Sequence, residues 1–228
     1  MDEIPYPVRR SRRARRARLV VRAEGVEVVV PEGVALRTLA PWVEGRRPWI
    51  ERTLRRLRAD EAAAPRPSLA HAGRVPYLGA DLELRVAVVP GARSRVARRE
   101  GELHVTVAEP GEAAVRAALE GWFRARARVE VATRLDAACA RAGRRYGRLT
   151  IRGQRTRWAS CSSSGAMSFN WRLLLAPAVV LDYVVEHEMA HLDVPDHGPR
   201  FRALLAARCP RWGDHERWLR RHGGTLRL

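Results

Sequence analysis

The segment from Glu186 to His197, E-H-E-M-A-H-L-D-V-P-D-H, constrains the fold of this chain more than any other. His187 and His191 are four residues apart within an apolar helical pattern, so on a helix both imidazoles project from one face. Two nitrogens on one helix face can bind the same metal ion. Pro195 cannot continue a helix, so the chain has to turn after His191. The fold must therefore present a helix end, followed by a turn, at a candidate metal site.

A catalytic zinc ion takes three protein ligands and leaves one position open. His197 is six residues after His191 and within reach once the chain turns. His215 and Glu216 are alternative third ligands if the last helix folds back toward the site. Glu188, beside the two histidines, is placed to accept a proton from water. Three other histidines are expected to be ordinary surface residues, namely His71, His104 and His222.

The charge around this segment differs from that of the rest of the chain. Residues 173–199 contain five acids and no arginine, whereas the whole chain has 43 basic and 25 acidic residues and a net charge of +18. An acidic window favours a divalent cation and supplies carboxylates that orient ligand histidines. All 43 basic residues are arginine, which indicates a coding bias, but a net charge of +18 still attracts polyanions.

Length and composition exclude several classes of protein. With 228 residues, 46% hydrophobic and 30% charged, the chain is long enough to bury a core and is not disordered as a whole. No apolar run approaches the roughly 20 residues of a membrane-spanning helix. Three widely spaced cysteines form no CxxC pair, which is typical of a reducing compartment. The arginine-rich run Arg9–Arg18 is not followed by an apolar signal segment, so we expect a cytoplasmic protein without membrane contact.

Periodicity predicts an α+β fold. Strands dominate the first half and helices the second, which suggests a β-rich N-terminal region over residues 1–110 and a catalytic domain over residues 111–228. The individual predictions are a β-hairpin over 18–30, helix over 36–59 with a break near Gly45 and Pro48, strands within 75–107, a helix over 112–142 ended by Gly143, strands over 149–152 and 166–173, and helices over 178–192, 199–207 and 213–221.

Several segments resemble the YgjP-like group of bacterial metallopeptidase-like proteins, which are also described as SprT-family or WLM-type. The resemblance covers nearly the whole chain and is most specific in residues 155–201. The matching segments are Pro48–Ile50, Tyr77–Gly79, Arg157–Ser162, Phe169–Leu173, Ala176–Pro177, Asp182–His191 and His197–Phe201. Three positions depart from the usual pattern of that group, and none of them is a metal ligand: Ala159 replaces glycine, Ala190 replaces cysteine and Arg202 replaces tryptophan.

The resemblance implies a basic, β-rich part packed on a zincin-like domain with an HExxH active-site helix. It implies Zn²⁺ bound by His187, His191 and His197, with Glu188 as the general base of a metallopeptidase that cleaves peptides or proteins. Residues 166–171 are expected to pair with an extended substrate. In the Arg157–Ser162 loop, Arg157 and Trp158 either contact substrate or a transition-state oxyanion, or lock the strand against the active-site helix. Three other residues are expected to have packing roles, namely Cys161, Asn170 and Tyr183.

Two other functions remain open at the level of sequence. One is a metal-dependent hydrolase of nucleotides or other phosphoanhydrides, in which arginines would clamp the phosphates. The other is a nucleic-acid-associated protease or binding protein that contacts DNA through the Arg9–Arg18 run. The sequence does not determine the oligomeric state.

Overall fold

The computed structural model describes residues 4–12, 14–22, 24–63, 67–154 and 157–228. Within these residues the chain forms a mixed α+β fold with three small sheets and six α-helices. The strands are β1 Val8–Arg10, β2 Arg18–Arg22, β3 Gly25–Val30, β4 Arg74–Tyr77, β5 Ala80–Val88, β6 Arg95–Arg99, β7 Glu102–Val107, β8 Leu149–Arg152, β9 Ala159–Cys161 and β10 Met167–Asn170. The helices are α1 Ala40–Glu44, α2 Arg47–Ala63, α3 Glu112–Ala142, α4 Ala178–Ala190, α5 Pro199–Arg208 and α6 Trp212–His222.

The chain divides into two compact units, Met1–Pro65 and Arg66–Leu228. The boundary that the sequence suggests, near residue 110, falls between β7 and α3 inside the second unit. It falls there because α3 buries its apolar face in the same core as the alternating residues of β7, Leu103, Val105 and Val107. Strands β4–β7 therefore belong to the same unit as the C-terminal helices.

The first unit contains a three-stranded sheet in the order β1-β3-β2. β2 and β3 form the predicted antiparallel hairpin, and β1 pairs parallel to β3 at the opposite edge. The predicted break in the helical segment is also confirmed, because α1 ends before Gly45 and α2 starts at Arg47. Arg9 of the arginine-rich run pairs with Glu27 at 2.9 Å, and Arg13 of that run lies outside the described residues.

Helix α3 is the longest element of the second unit. Its buried residues follow one another at helical spacing, from Val115 through Phe123 to Leu135, which gives the helix one continuous apolar face. Gly143 ends the helix in the left-handed conformation, with φ of 61°, as the sequence predicts. This face packs against β7 and against the segment that leads into α4.

A tight turn between β4 and β5 contacts the start of α4. Leu78 and Gly79 both have positive φ, 51° and 95°, as a two-residue hairpin turn requires. The backbone N–H of Leu78 donates to Leu174 O at 2.8 Å, and its carbonyl accepts from Ala178 N at 3.3 Å. These bonds tie the first turn of α4 to the four-stranded sheet, whose strand order is β4-β5-β7-β6.

The third sheet has the order β8-β10-β9. β10 runs parallel to β8 and antiparallel to β9, so both of its edges are occupied. The hypothesis that residues 166–171 pair directly with a substrate is therefore wrong, because their backbone groups already bond within the sheet. β9 is an additional strand that the sequence analysis treated as a loop.

The remaining helices agree with the predicted order. Compared with the prediction, α4 ends two residues earlier, α5 ends one residue later, and α6 begins one residue earlier and ends one residue later. Among the described residues, no helix combines the length and the apolar character needed to cross a membrane.

Candidate metal centre

Helix α4 brings His187 and Glu188 to the candidate site, and His191 follows directly as its C-terminal cap. Most of the helix is buried, as expected from its nearly continuous apolar sequence. Near its end, Met189 is fully buried and its sulfur lies 3.7 Å from Cys139 Sγ of α3. The position of the two histidines is thus fixed by core packing on the other side of the helix.

Three imidazoles meet at the end of α4. One ligand atom from each of His187, His191 and His197 lies within 4.8 Å of the other two. Nε2 of His187 and Nε2 of His197 are 3.1 Å apart. The ring of Phe201 packs against all three, with centroid distances between 4.7 and 5.0 Å. The structure therefore brings together the three histidines that the sequence singled out.

The turn between α4 and α5 is held at several points. Asp193 forms ion pairs with Arg144 at 2.6 Å and with Arg208 at 2.7 Å. These arginines outweigh the opposing effect of burial and lower the pKa of the Asp193 carboxyl. Asp196 Oδ1 accepts a hydrogen bond from Gly198 N at 2.8 Å, just before α5 begins. Two carboxylates of the acidic window thus fix the segment that carries His197.

The histidines lie in an environment that disfavours their charged forms. Burial, together with the neighbouring imidazoles, lowers the pKa of His187 to about 4. Burial also lowers the pKa of His191. Nδ1 of His191 lies 3.2 Å from Val194 O, so the neutral ring donates through Nδ1 and leaves the lone pair on Nε2. Neutral imidazoles with an available lone pair are what a metal ion requires.

Glu188 is a buried acid with an unpartnered oxygen. Its side chain is 5% exposed, and no described group hydrogen-bonds to Oε2. Burial raises its pKa to about 7, although the backbone of Cys161 and the charge of Arg157 oppose this shift. A carboxyl group with a pKa near neutrality, next to three histidines, is suited to accept and return a proton.

Comparison with models of known protein families identifies the family of this chain. The model of the YgjP-like family, described as a metallopeptidase domain, matches residues 15–222. This chain belongs to the YgjP-like family. A search of curated proteins and a search of solved structures each gave no match.

Other candidate ligands of this YgjP-like chain lie apart from the three histidines. Among the described residues, His215 and Glu216 do not join the cluster, and the His215 ring instead faces Tyr183 at 6.2 Å. Cys161 is also not a member of the cluster found within the described residues, and it packs against the core as predicted. Tyr183 is buried and its ring lies 5.9 Å from that of His187.

The remaining histidines of the YgjP-like chain are engaged elsewhere. His71 Nδ1 lies 3.2 Å from Val86 N, and His104 Nε2 lies 2.9 Å from Glu102. His222 stacks on the ring of Trp218 at 4.9 Å. None of the three is a member of the cluster in the described part of the chain, in agreement with the sequence analysis.

The segment before β10 contains a strand that the sequence analysis missed. Ala159–Cys161 forms β9, and within the described residues this strand pairs with β10 alone. Bonds from Asn170 N to Trp158 O and from Ser162 N to Ala166 O show that alternate residues of this segment bond to β10. The N–H and C=O groups of Ala159 and Cys161 consequently face the open edge. A three-residue strand is too short to produce a recognisable alternation in sequence.

Asn170 has the structural role that the sequence analysis expected. Its Nδ2 donates to Gln154 O at 2.6 Å, and its Oδ1 accepts from Arg172 N at 3.1 Å. The first bond joins the end of β10 to the segment after β8, and the second caps the helical turn that follows β10. Trp158 is partly buried and packs against the main core, so it too has a packing role in this family member.

Proposed function

We propose that this protein is a zinc-dependent metallopeptidase with His187, His191 and His197 as zinc ligands and Glu188 as general base. The single observation that supports this most is the buried, unpartnered Oε2 of Glu188 beside three converging imidazoles. A buried acceptor without a hydrogen-bond donor is unfavourable, unless a water molecule or a substrate group supplies that donor. The metallopeptidase family supports the same reaction class.

The donor set fits zinc in particular. Nitrogens about 2.0–2.1 Å from a tetrahedral zinc ion lie about 3.3 Å from each other. The two Nε2 atoms of His187 and His197, at 3.1 Å, are close to that separation. His191 donates through Nδ1 to a backbone carbonyl, which is the usual second contact of a ligand histidine. Three imidazoles leave one position of a tetrahedral ion open, as a catalytic site requires.

When bound, zinc acts as a Lewis acid that polarises a carbonyl group and lowers the pKa of water to about 7. The protein itself supplies the proton transfers. Glu188 accepts a proton from the attacking water on its carboxylate and returns it to the amine that leaves. In the metal-free protein burial raises the pKa of Glu188, so its carboxylate is a better proton acceptor than that of an exposed glutamate.

The open edge of β9 is the proposed binding place for an extended peptide. Within the described residues, the N–H and C=O of Ala159 and the C=O of Cys161 have no backbone partner at this edge. The Cys161 N–H donates to the Glu188 carboxylate and opposes the rise of its pKa, so this edge is adjacent to the carboxylate. Peptides commonly add to a sheet at such an edge, where main-chain bonds hold the scissile bond in register.

The test compares wild type with Glu188→Gln, both purified without chelators. Zinc content is measured by mass spectrometry, and cleavage of a peptide library is followed by chromatography. We expect about one zinc per chain in both proteins and a loss of turnover of at least 1000-fold in the variant, because the amide cannot accept a proton. Turnover retained in Glu188→Gln would refute the assigned mechanism, and a wild type without zinc after metal addition would refute the site.

The alternative reactions are tested in the same preparations. A nucleoside triphosphate offered in place of the peptides tests phosphoanhydride hydrolysis. The salt dependence of DNA binding, before and after removal of residues 1–18, tests a nucleic-acid role for the arginine-rich run, because each phosphate contact contributes to the slope. Hydrolysis of the triphosphate without cleavage of any peptide would replace the proposed function with the first alternative.

A further inference from the structure

A polar cavity of about 630 Å³ is lined by residues of β8, β10 and β9 and of the segments that adjoin these strands. Ser168 pairs with both Thr150 and Ser160 across the sheet, so the three hydroxyl side chains lie in one row on the same face. Ser160 Oγ and Ser168 Oγ are 2.9 Å apart. Arg152 and Arg157 also line the cavity. The opposite face of the sheet contributes to the main core, for example through Phe169.

The cavity has a positive charge that the described residues do not neutralise. The described lining residues include two arginines and no carboxylate. Arg152 and Arg157 are both exposed, and within the described residues neither forms an ion pair with an acid. Other arginines near the active-site helix are paired, such as Arg134 with Asp182 at 2.7 Å. Two exposed guanidinium groups beside a row of hydroxyls suit an anion that accepts several hydrogen bonds.

The cavity is adjacent to the candidate metal centre through β9. Cys161 lines the cavity, and its backbone contacts the Glu188 carboxylate. The charge of Arg157 also acts on Glu188. An extended peptide on the open edge of β9 directs alternate side chains to the two faces of the sheet. The side chains on the Ser160 face would therefore extend toward this cavity.

We propose that this cavity is a substrate subsite for the carboxylate of an acidic peptide, bound by Arg152 and Arg157 with hydrogen bonds from Ser160, Ser168 and Thr150. The inference rests on the proposed function, because it names the substrate class of the same site. A carboxylate fits better than a neutral polar group, since it accepts hydrogen bonds from arginine and from hydroxyls at the same time. Two sources of the carboxylate are possible, a Glu or Asp side chain and the C-terminus of the peptide.

The test uses the zinc-loaded full chain and matched peptides that contain Glu, Gln or Lys at each position around the cleaved bond. Each peptide is prepared with a free and with an amidated C-terminus, which separates the two sources of the carboxylate. The variant is Arg152→Glu, and the control is Arg148→Glu, which makes the same charge change just before β8 and outside the lining of the cavity. Binding of the same peptides is measured by calorimetry with Glu188→Gln, so that a result does not depend on turnover.

We expect wild type to favour the carboxylate-bearing peptide over its neutral partner by about tenfold in kcat/KM and in affinity, the range of a charge-assisted hydrogen bond. Arg152→Glu should abolish this preference and favour the Lys peptide, whereas Arg148→Glu should keep the wild-type ratio. The preference should decrease with added salt, because an exposed ion pair is screened.

Three results would overturn the inference. Equal binding of charged and neutral peptides by wild type would show that the cavity is not an anion subsite, even if cleavage itself supports the proposed function. An equal loss of preference in Arg148→Glu would show that the preference comes from the overall positive charge of the protein and not from this cavity. Hydrolysis of a nucleoside triphosphate, with no binding of any peptide, would reject both the inference and the proposed function.

Discussion

The burial of the Glu188 carboxyl predicts how the unfolding free energy of the metal-free protein depends on pH. Burial raises its pKa from an ordinary value of 4.5 to about 7. Between these two values the native state binds the proton more tightly than the unfolded state does. The contribution of Glu188 to stability is therefore fully present below pH 4.5 and is lost as the pH rises to about 7. The shift corresponds to about 3 kcal/mol over that window.

Glu188→Gln removes this titration because the amide carries no charge at either end of the window. We compare the unfolding free energy of metal-free Glu188→Gln with that of metal-free wild type at pH 5 and at pH 8.5. The difference, variant minus wild type, should be about 2 to 3 kcal/mol larger at pH 8.5 than at pH 5. The measurement is urea-induced unfolding of both proteins, stripped of metal, at the two pH values. The midpoints and slopes are compared so that a change in the unfolded state is recognised.

A matched control is Glu216→Gln, which also replaces one glutamate by its amide. Glu216 is exposed and pairs with Arg220 at 3.1 Å on the surface of α6. An exposed pair of this type contributes about 0.5 kcal/mol, so the control should differ little from wild type at both pH values. If the difference in unfolding free energy between Glu188→Gln and wild type is also the same at both pH values, Glu188 is not buried as described and the reasoning fails.

Three further predictions concern the site and its support. We expect mass spectrometry to find no bound zinc in His197→Ala and about one zinc per chain in His215→Ala. The reverse result would assign the third ligand to α6. Ala159→Pro should impair peptide cleavage and leave the urea midpoint of unfolding unchanged, because the N–H that it removes faces the open edge of β9. Ser168→Pro removes a hydrogen bond within the sheet and should unfold the protein. Asp193→Asn should lower the unfolding free energy by about 1 kcal/mol by weakening two ion pairs, and an unchanged urea midpoint would show that these pairs do not stabilise the turn.

Local sequence patterns predicted many of the elements well. The 31-residue helix α3 was predicted because its apolar residues repeat at helical spacing and Gly143 follows. The hairpin of β2 and β3 was predicted from short apolar runs around Gly25. Both signals arise from neighbouring residues, so they are visible without knowledge of the fold. β9 had no such signal because three residues are too few for a period to appear.

The roles of strands in the third sheet were not visible in the sequence. β10 has the apolar residues of a strand, and the sequence analysis assigned it a free edge. In the structure it is the central strand, and β8 and β9 are the two edge strands. Which strand lies at an edge depends on pairing between segments that are separated in sequence, and periodicity gives no information about that order. The cavity on this sheet was missed for the same reason.

The sequence by itself determined the spacing of His187 and His191 on one helix face and the turn that Pro195 imposes, since both follow from helix geometry within a few residues. Tertiary structure decided the position of His197 beside them, because Asp193 holds the intervening turn through ion pairs with Arg208 of α5 and with Arg144 after α3. It also decided the chemistry of Glu188. The same carboxyl is an ordinary acid in the unfolded chain, and only packing between α4 and β9 removes it from water and raises its pKa.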